Sequence, residues 1–275
     1  MYNTMSVNPG YAGQREVLSV TGLHRTQWVG IDGAPQTQTL GIHAPLRNDR
    51  IGLGLSIVND ALGPVNEFYI DANFSYTMQV GDNNTKLSFG AKAGMHGLTS
   101  DWSEGVIQQL GDPTFADNLS VFSPTVGAGL YLHNRKWYLG LSVPNFLRTE
   151  HFDDNQVSIA KERMNYYLIA GYVFDLSANT KFKPAALVKA ETGAPIIADV
   201  SANFLFNDKL TLGVAWRWDD SVSGLAGIQV TDGLYIGYSY DATTTNLNNY
   251  NSGSHEIMLR FELQKIGRIL SPRFF

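Results

Sequence analysis

The sequence alternates apolar and polar residues with a period of two, over segments too long for ordinary globular strands. In residues 65–80 the even positions from Phe68 to Val80 are all apolar, whereas the odd positions from Glu67 to Gln79 are polar or tyrosine. This alternation is typical of a β-strand with one apolar and one hydrated face. Strands of globular proteins usually contain only about five or six residues. The chain therefore contains unusually long, two-faced strands.

The same alternation recurs along the whole chain. No segment longer than about ten residues keeps a helical period, and no apolar run reaches the length of about 18 residues that a membrane-spanning helix needs. We predict about fourteen strands, near residues 16–27, 36–45, 50–58, 65–80, 84–96, 122–133, 136–143, 163–175, 181–191, 195–206, 209–218, 221–230, 233–241 and 254–264. No linker divides them, so we expect a single β-domain.

The predicted connections differ between the two ends of the strands. Those after even-numbered strands are short and polar, whereas the longest ones follow odd-numbered strands, near residues 97–121, 144–162 and 242–253. This asymmetry is typical of an outer-membrane barrel, which has short periplasmic turns and longer outer loops. The predicted fold is an all-β, transmembrane, antiparallel up-and-down β-barrel of about 14 strands, with both termini in the periplasm. A large soluble β-sandwich is the alternative, because its strands also have one wet face.

Composition and motifs exclude several classes of function. Charged residues make up 16% of the chain, below the roughly 25% of soluble domains, and the formal net charge of −5 argues against a nucleic-acid partner. There is no cysteine, and the six histidines show no catalytic or metal-binding spacing. We therefore predict a non-enzyme with no catalytic residue, cofactor or metal, although outer-membrane barrels can be hydrolases.

The polar faces of the predicted strands carry charges of both signs, which a closed barrel directs into its lumen. The residues predicted there are Arg25, Glu67, Asp71, Lys92, Lys189, Asp199, Arg217, Arg260 and Glu262. Either these charges pair and fill the interior, since buried charges need partners, or they line a polar lumen that receives a peptide or solute.

The two ends of the chain differ from the predicted barrel, which we place at residues 15–264. Residues 1–14 carry the turn sequence Asn8-Pro9-Gly10, and we expect them to be a small plug in the lumen or a frayed end. Residues 265–275 form a predicted periplasmic tail. Its last residues, Arg273, Phe274 and Phe275, would contact a periplasmic partner or cap the lower mouth of the barrel.

Several stretches, in this order along the chain, resemble the PorP/SprF family of outer-membrane proteins of the type IX secretion system in Bacteroidetes. They include "MYNTMSVNPGYAG", "QWVGIDGAPQTQ", "YLGLSVPNFL" and the terminal "SPRFF". One departure is Ser271, where we expect many relatives to have cysteine, so any role of that cysteine is absent here.

The resemblance implies a precursor with a cleaved signal peptide and a location in the outer membrane, in contact with its lipid. It also implies two classes of protein partner. One is the type B C-terminal domain of a secreted substrate, such as a gliding-motility adhesin, whose secretion or cell-surface attachment the barrel supports. The other comprises periplasmic or outer-membrane components of the secretion and gliding machinery.

The resemblance implies that the outer loops are the surface that meets the substrate. The predicted contact residues are Trp28, Asp32, Trp102, Phe115, Phe122, Phe146, Phe152 and Tyr250. Large aromatic side chains often dominate the energy of protein interfaces, although these residues could equally pack the loops against one another.

Two other functions fit the same fold. One is a transporter of a hydrophobic small molecule, like the fatty-acid channels, which also have about fourteen strands and a plug. The charged polar face argues against it. The other is a purely structural anchor, which would show no dependence on a substrate.

Overall fold

The computed structural model describes residues 3–47, 49–81, 84–102, 118–147 and 164–263. These residues form a closed antiparallel β-barrel of fourteen strands, as predicted. The eighth barrel strand is interrupted at Val173 and is described as two segments, β8 and β9, which both pair with β10. The segments are β1 Ser19–Thr26, β2 Gln36–Pro45, β3 Ile51–Leu62, β4 Val65–Gln79, β5 Lys86–Ser100, β6 Leu119–His133, β7 Trp137–Val143, β8 Asn165–Tyr172, β9 Phe174–Ser177, β10 Thr180–Glu191, β11 Ile197–Phe206, β12 Leu210–Arg217, β13 Ser221–Thr231, β14 Leu234–Thr243 and β15 Ser254–Glu262.

The barrel closes between its first and last strands. β1 pairs with β2 on one side and with β15 on the other, with Ser19 opposite Glu262. Closure leaves no open sheet edge, so the backbone can satisfy its hydrogen bonds within a bilayer. In the described part of the chain, no helix is long and apolar enough to span a membrane.

The two ends of the barrel differ in their connections. Every connection longer than six residues joins an odd-numbered barrel strand to the next strand, and we call that end the long-loop end. The opposite end, the short-turn end, carries connections such as residues 134–136 and 232–233.

Several predicted strand ends need correction, among them that of β5, which continues to Ser100 instead of ending near residue 96. β3 continues to Leu62 because the polar side chains of Asn59 and Asp60 are hydrogen-bonded across the sheet to β2. Its connection to β4 therefore consists of Gly63 and Pro64 alone. The first strand begins at Ser19 rather than near residue 16, where Glu16 has a positive φ of 63°.

The two faces of the wall are inverted relative to a soluble protein. On β4 the outward side chains of Phe68 and Phe74 are exposed, whereas the inward Asp71 and Asn73 are buried. A sandwich would bury its apolar face, so this inversion distinguishes the transmembrane barrel from the soluble alternative.

The chain before β1 lies inside the barrel. It contains the short helix α1, Thr4–Val7, and a 3-10 turn, Pro9–Tyr11. Met5, Tyr11 and Ala12 form a buried apolar cluster with residues of the wall. We call residues 4–17 the plug.

Candidate functional site

The plug lies against a part of the wall that is rich in glycine. Glycines of β2, β3, β5, β6 and β7 face it, and a Cβ atom added to Gly90 would collide with the backbone of Pro9 and Gly10. A Cβ on Gly129 would likewise collide with the side chain of Asn8. Glycine permits this close approach of two backbones. The wall glycines in contact with the plug are Gly41, Gly52, Gly54, Gly90, Gly129 and Gly140.

Asn8 and Gln14 fix the turn of the plug through buried hydrogen bonds. The Asn8 amide donates to the Leu130 carbonyl at 3.0 Å and accepts from the Gly10 N–H at 2.9 Å. The Gln14 amide nitrogen donates to Thr77 Oγ1 at 2.8 Å and Ser88 Oγ at 2.9 Å. Because buried polar groups need partners, these contacts hold the plug in a single position.

The wall also bonds to the plug backbone. The Ser75 hydroxyl donates to the Ala12 carbonyl at 2.7 Å, and the Ser142 hydroxyl donates to the Val7 carbonyl at 2.7 Å. The Gly13 N–H donates to His43 Nδ1 at 3.1 Å, which requires that nitrogen to be unprotonated.

A buried cluster of three charges joins the plug to the last strand. The Arg15 guanidinium donates two hydrogen bonds to the Glu262 carboxylate, from Nε and from Nη2, the latter at 2.8 Å. Arg260 lies 3.6 Å from the same carboxylate and 4.8 Å from the centre of the Tyr235 ring. Burial acts to lower the pKa of Arg15, but Tyr11 and Glu262 outweigh it and raise that pKa above its usual value. The cluster is a charged latch, which we call the plug latch (Arg15, Glu262 and Arg260).

The plug fills the short-turn half of the lumen and leaves a cavity of about 230 Å³ beside it. Apolar and polar residues mix in its lining, which includes Thr4, Val7, Leu23, Tyr138, Ile169, Lys183, Leu187, Asn203 and Glu256.

Charged pairs line the lumen nearer the long-loop end. Lys92 Nζ lies 2.6 Å from Asp71 Oδ2, and Thr125 donates to Asp71 Oδ1 at 2.6 Å. On the opposite wall, Arg25 and Arg217 each contact two carboxylates. The nine predicted lumen residues lie on the inward face of their strands, and ion pairs join several of them, such as Lys92 with Asp71 and Arg217 with Asp199.

The predicted loop residues fall into different environments. Asp32 lies exposed at the tip of the first loop, residues 27–35, and Trp28, the second residue of that loop, has a positive φ of 46°. Phe146 lies just after β7, and its N–H donates to the Val126 carbonyl at 2.7 Å. The Trp102 N–H donates to the side chain of Asn118 at 3.3 Å.

Phe122 is not a loop residue. It belongs to β6, on the outward face, is 68% exposed, and its ring covers Gly97 of the neighbouring strand. The strand extends to residue 119 because Ser120 and Val121 continue the pairing with β5. Phe122 therefore covers a glycine on the outer surface of the wall instead of forming part of a loop.

Three connections at the long-loop end pack together. The loop at 27–35 exchanges backbone hydrogen bonds with the loop at 244–253, through Val29 with Ser252 and Gly253, at 2.7 and 2.9 Å. The Gly63 N–H donates to the Gly33 carbonyl at 2.9 Å. Tyr250, 74% exposed, therefore lies on the same surface as the first loop.

Other predicted contact residues lie outside the described residues. They are Phe115 and Phe152 of the long loops and Arg273, Phe274 and Phe275 of the tail.

Sequence reasoning missed the residues that fix the plug. The predicted bounds place Gln14 at the end of the N-terminal segment and Arg15 in the barrel, and they give neither residue a role, although a buried Glu262 at the first–last strand seam requires a cationic partner. That requirement was the one available signal.

A closed antiparallel barrel with an apolar outer surface and a polar, partly filled lumen is an outer-membrane β-barrel. Solved barrels share this fold, among them the CymD monoaromatic hydrocarbon channel (14% identity, TM-score 0.54, covering 97% of this chain and 94% of that one). Two others are Omp33 of Acinetobacter baumannii (9% identity, TM-score 0.51, 90% and 98% covered) and the toluene transporter TbuX of Ralstonia pickettii (11% identity, TM-score 0.51, 96% and 94% covered). At these identities the likeness shows the fold alone.

The chain belongs to the PorP/SprF family of type IX secretion system membrane proteins, whose family model matches residues 1–261. No curated protein sequence matches the chain significantly.

Proposed function

We propose that the barrel is a socket for secreted proteins at the cell surface. In this proposal the long-loop end faces outward, both chain termini are periplasmic, and a cleaved signal peptide directs the precursor to the outer membrane. The socket binds the type B C-terminal domain of a secreted substrate, such as a gliding-motility adhesin, and supports its secretion or surface attachment. The proposal assigns no catalytic reaction to the barrel.

The observation that carries this proposal is the plug. Its turn is held by buried hydrogen bonds and its end by the buried plug latch. A lumen filled at one end offers a floor on which a partner can rest, whereas an open channel would let the partner through. The short-turn end would then be free to contact periplasmic parts of the secretion and gliding machinery.

The long-loop end supplies the contact surface. Trp28, Asp32 and Tyr250 lie on two loops that are hydrogen-bonded to each other. A pre-formed loop surface lowers the entropy that binding would otherwise cost. We expect the long loops to decide which substrate the barrel accepts.

The test is capture of the matched substrate's C-terminal domain by the purified barrel. We expect capture to be lost when the loops at 101–118, 144–164 and 244–253 are all shortened. Shortening the turn at 80–85, at the other end, is the control and should leave capture intact. Unchanged capture after loss of all three loops would refute the proposal.

A transporter of a hydrophobic small molecule is the second candidate, favoured by the apolar part of the lumen cavity. Val7, Leu23, Ile169 and Leu187 all contribute to its lining. This candidate predicts saturable uptake of a monoaromatic hydrocarbon into vesicles that contain the barrel. It also predicts that mixed charges in the lumen matter less to uptake than the apolar lining.

A further inference from the structure

Two arginines near the long-loop end are each shared by two carboxylates. Arg25 Nη2 lies 2.6 Å from Asp241 Oδ2, and Arg25 Nη1 lies 3.5 Å from Glu256 Oε2. A second arginine repeats this arrangement. Four carboxylates therefore share two guanidinium groups, and this part of the wall carries an excess of negative charge.

Arg217 is that second arginine. Its Nε lies 2.8 Å from Asp199 Oδ1, and its Nη1 lies 3.2 Å from Asp220 Oδ2. Asp220 also accepts a hydrogen bond from the Ser221 hydroxyl at 3.0 Å. Arg217 is the last residue of β12, so the cluster lies close to the long-loop end.

Both arginines line one small pocket of about 70 Å³ on the lumen face of β1, β11, β12, β13, β14 and β15, together with Asp199, Asp241 and Glu256. Ser239 lies in its lining, is only 5% exposed, and its hydroxyl has no hydrogen-bond partner among the described residues. Ser239 stands directly opposite Glu256 in the pairing of β14 with β15. Among the described residues, the ion pair of Glu256 is the longer, 3.5 Å contact with Arg25.

A hydroxyl that opens into a pocket is able to accept a hydrogen bond from a ligand there. The pocket therefore combines an unused polar group with carboxylate oxygens that still have acceptor capacity. We propose that this carboxylate pocket (Asp199, Asp241, Glu256 and Ser239, with Asp220 behind it) binds the ammonium or guanidinium group of a lysine or arginine side chain of the secreted partner. This inference rests on the proposed function, and it names the chemistry by which the socket recognises its occupant.

The charge balance selects this ligand. An anion would have to displace carboxylates from arginines that are already paired, and buried pairs are costly to break. A metal ion is not favoured, because the described residues contain no group of three or more carboxylates or histidines placed to hold one. A pocket of this size admits the end of one long side chain, which matches a lysine or arginine reaching in from the long-loop end.

The first experiment measures the pocket alone. The full-length barrel in nanodiscs of uncharged lipid is titrated with fluorescent pentalysine at low salt, and with pentaglutamate as the anionic comparison. We expect pentalysine to bind and pentaglutamate not to bind. The double variant Glu256→Gln/Asp220→Asn keeps one carboxylate on each arginine, and it should weaken pentalysine binding at least fivefold.

The matched control is Glu67→Gln, which removes a carboxylate from the opposite wall of the same lumen. We expect it to change pentalysine binding less than twofold, whereas Ser239→Ala should weaken binding about threefold. Equal binding by the wild type and the double variant would overturn the inference. An equal loss in Glu67→Gln would also overturn it, because the effect would then come from overall lumen charge.

The second experiment separates this inference from the proposed function. The same variants are used to capture the matched substrate domain. If the wild type and Glu256→Gln/Asp220→Asn capture it equally, the proposed function stands and the carboxylate pocket is refuted as its recognition site. If the wild type captures no domain, the proposed function fails, and this assignment of a partner lysine or arginine fails with it, whatever pentalysine does.

Discussion

The plug latch predicts that two substitutions in the same ion cluster have unequal effects. Arg15, Glu262 and Arg260 are 4%, 8% and 7% exposed in their side chains, and one carboxylate serves both guanidinium groups. Removing Arg15 leaves Glu262 paired with Arg260. Removing the charge of Glu262 takes away the one carboxylate that both buried guanidinium groups contact.

The expected changes in the free energy of unfolding follow from the charges that each substitution removes. Glu262→Gln should lower the free energy of unfolding by about 3–5 kcal/mol, the cost of leaving buried charge uncompensated. Arg15→Met should cost about 1.5–3 kcal/mol, the typical loss of hydrogen bonds to a charged group. In the Glu262→Gln background the sign should reverse. There, Arg15→Met removes one of two repelling buried cations, and the double variant should be more stable than Glu262→Gln alone.

The assay is urea unfolding of the barrel in detergent micelles, followed by tryptophan fluorescence and by the shift in gel mobility between folded and unfolded barrel. Lys136→Met is the control, because its ion pair with Asp175 is more than half exposed and should contribute at most about 1 kcal/mol. Destabilisation by Arg15→Met in both backgrounds, with the two costs adding, would refute the shared-carboxylate reasoning.

Three further substitutions test the plug and the wall. Gly90→Val places side-chain atoms where the plug backbone lies, so it should displace the plug. A cysteine introduced into the plug should then react with a maleimide reagent. In the control Gly224→Val, where a Cβ atom meets open space, the same cysteine should stay protected. Gln14→Leu removes partners from buried hydroxyls and should lower the unfolding free energy by about 1–3 kcal/mol, as measured by urea titration. Leu259→Arg, on the outward face, should lower the free energy of unfolding in a bilayer by about 2–4 kcal/mol. Val80→Arg, near the edge of the apolar band, should lower it by about 0–1 kcal/mol. Equal losses would contradict the assignment of the outward face to lipid.

The wall of the barrel could be predicted from the sequence because its physical signal is local. Alternation of residues such as Phe74 and Asn73 gives the face of each strand without knowledge of its neighbours. The same alternation placed Asp71 and Lys92 in the lumen, where they pair at 2.6 Å. The errors fell at strand ends, as at Leu62, where cross-strand hydrogen bonds rather than apolar alternation continue the sheet.

The plug contacts could not be predicted, because they depend on distant parts of the chain. Gln14 meets Thr77 and Ser88, and Asn8 meets Leu130, across separations that no local period encodes. In the sequence, a glycine such as Gly90 indicates only a weak strand former. The reason for a glycine at this position, close approach of the plug backbone, follows from where the plug lies. The turn at Asn8-Pro9-Gly10 left a plug in the lumen and a frayed end as alternatives, and it did not indicate which wall residues such a plug would contact.

The plug and the closing seam of the barrel share residues, and this limits how the lumen can open. Ser19 of the first strand pairs with Glu262 of the last, and Glu262 also holds Arg15 of the plug. Withdrawing the plug would therefore separate the buried Arg15 from its carboxylate, in addition to exposing the glycine wall. An opening with this cost is a poor route for continuous transport, whereas a fixed floor at the same place suits a socket that holds a partner in its upper half. The sign reversal expected for Arg15→Met and Glu262→Gln bears on this reasoning directly, because it measures whether the plug and the seam share one carboxylate energetically as well as in space.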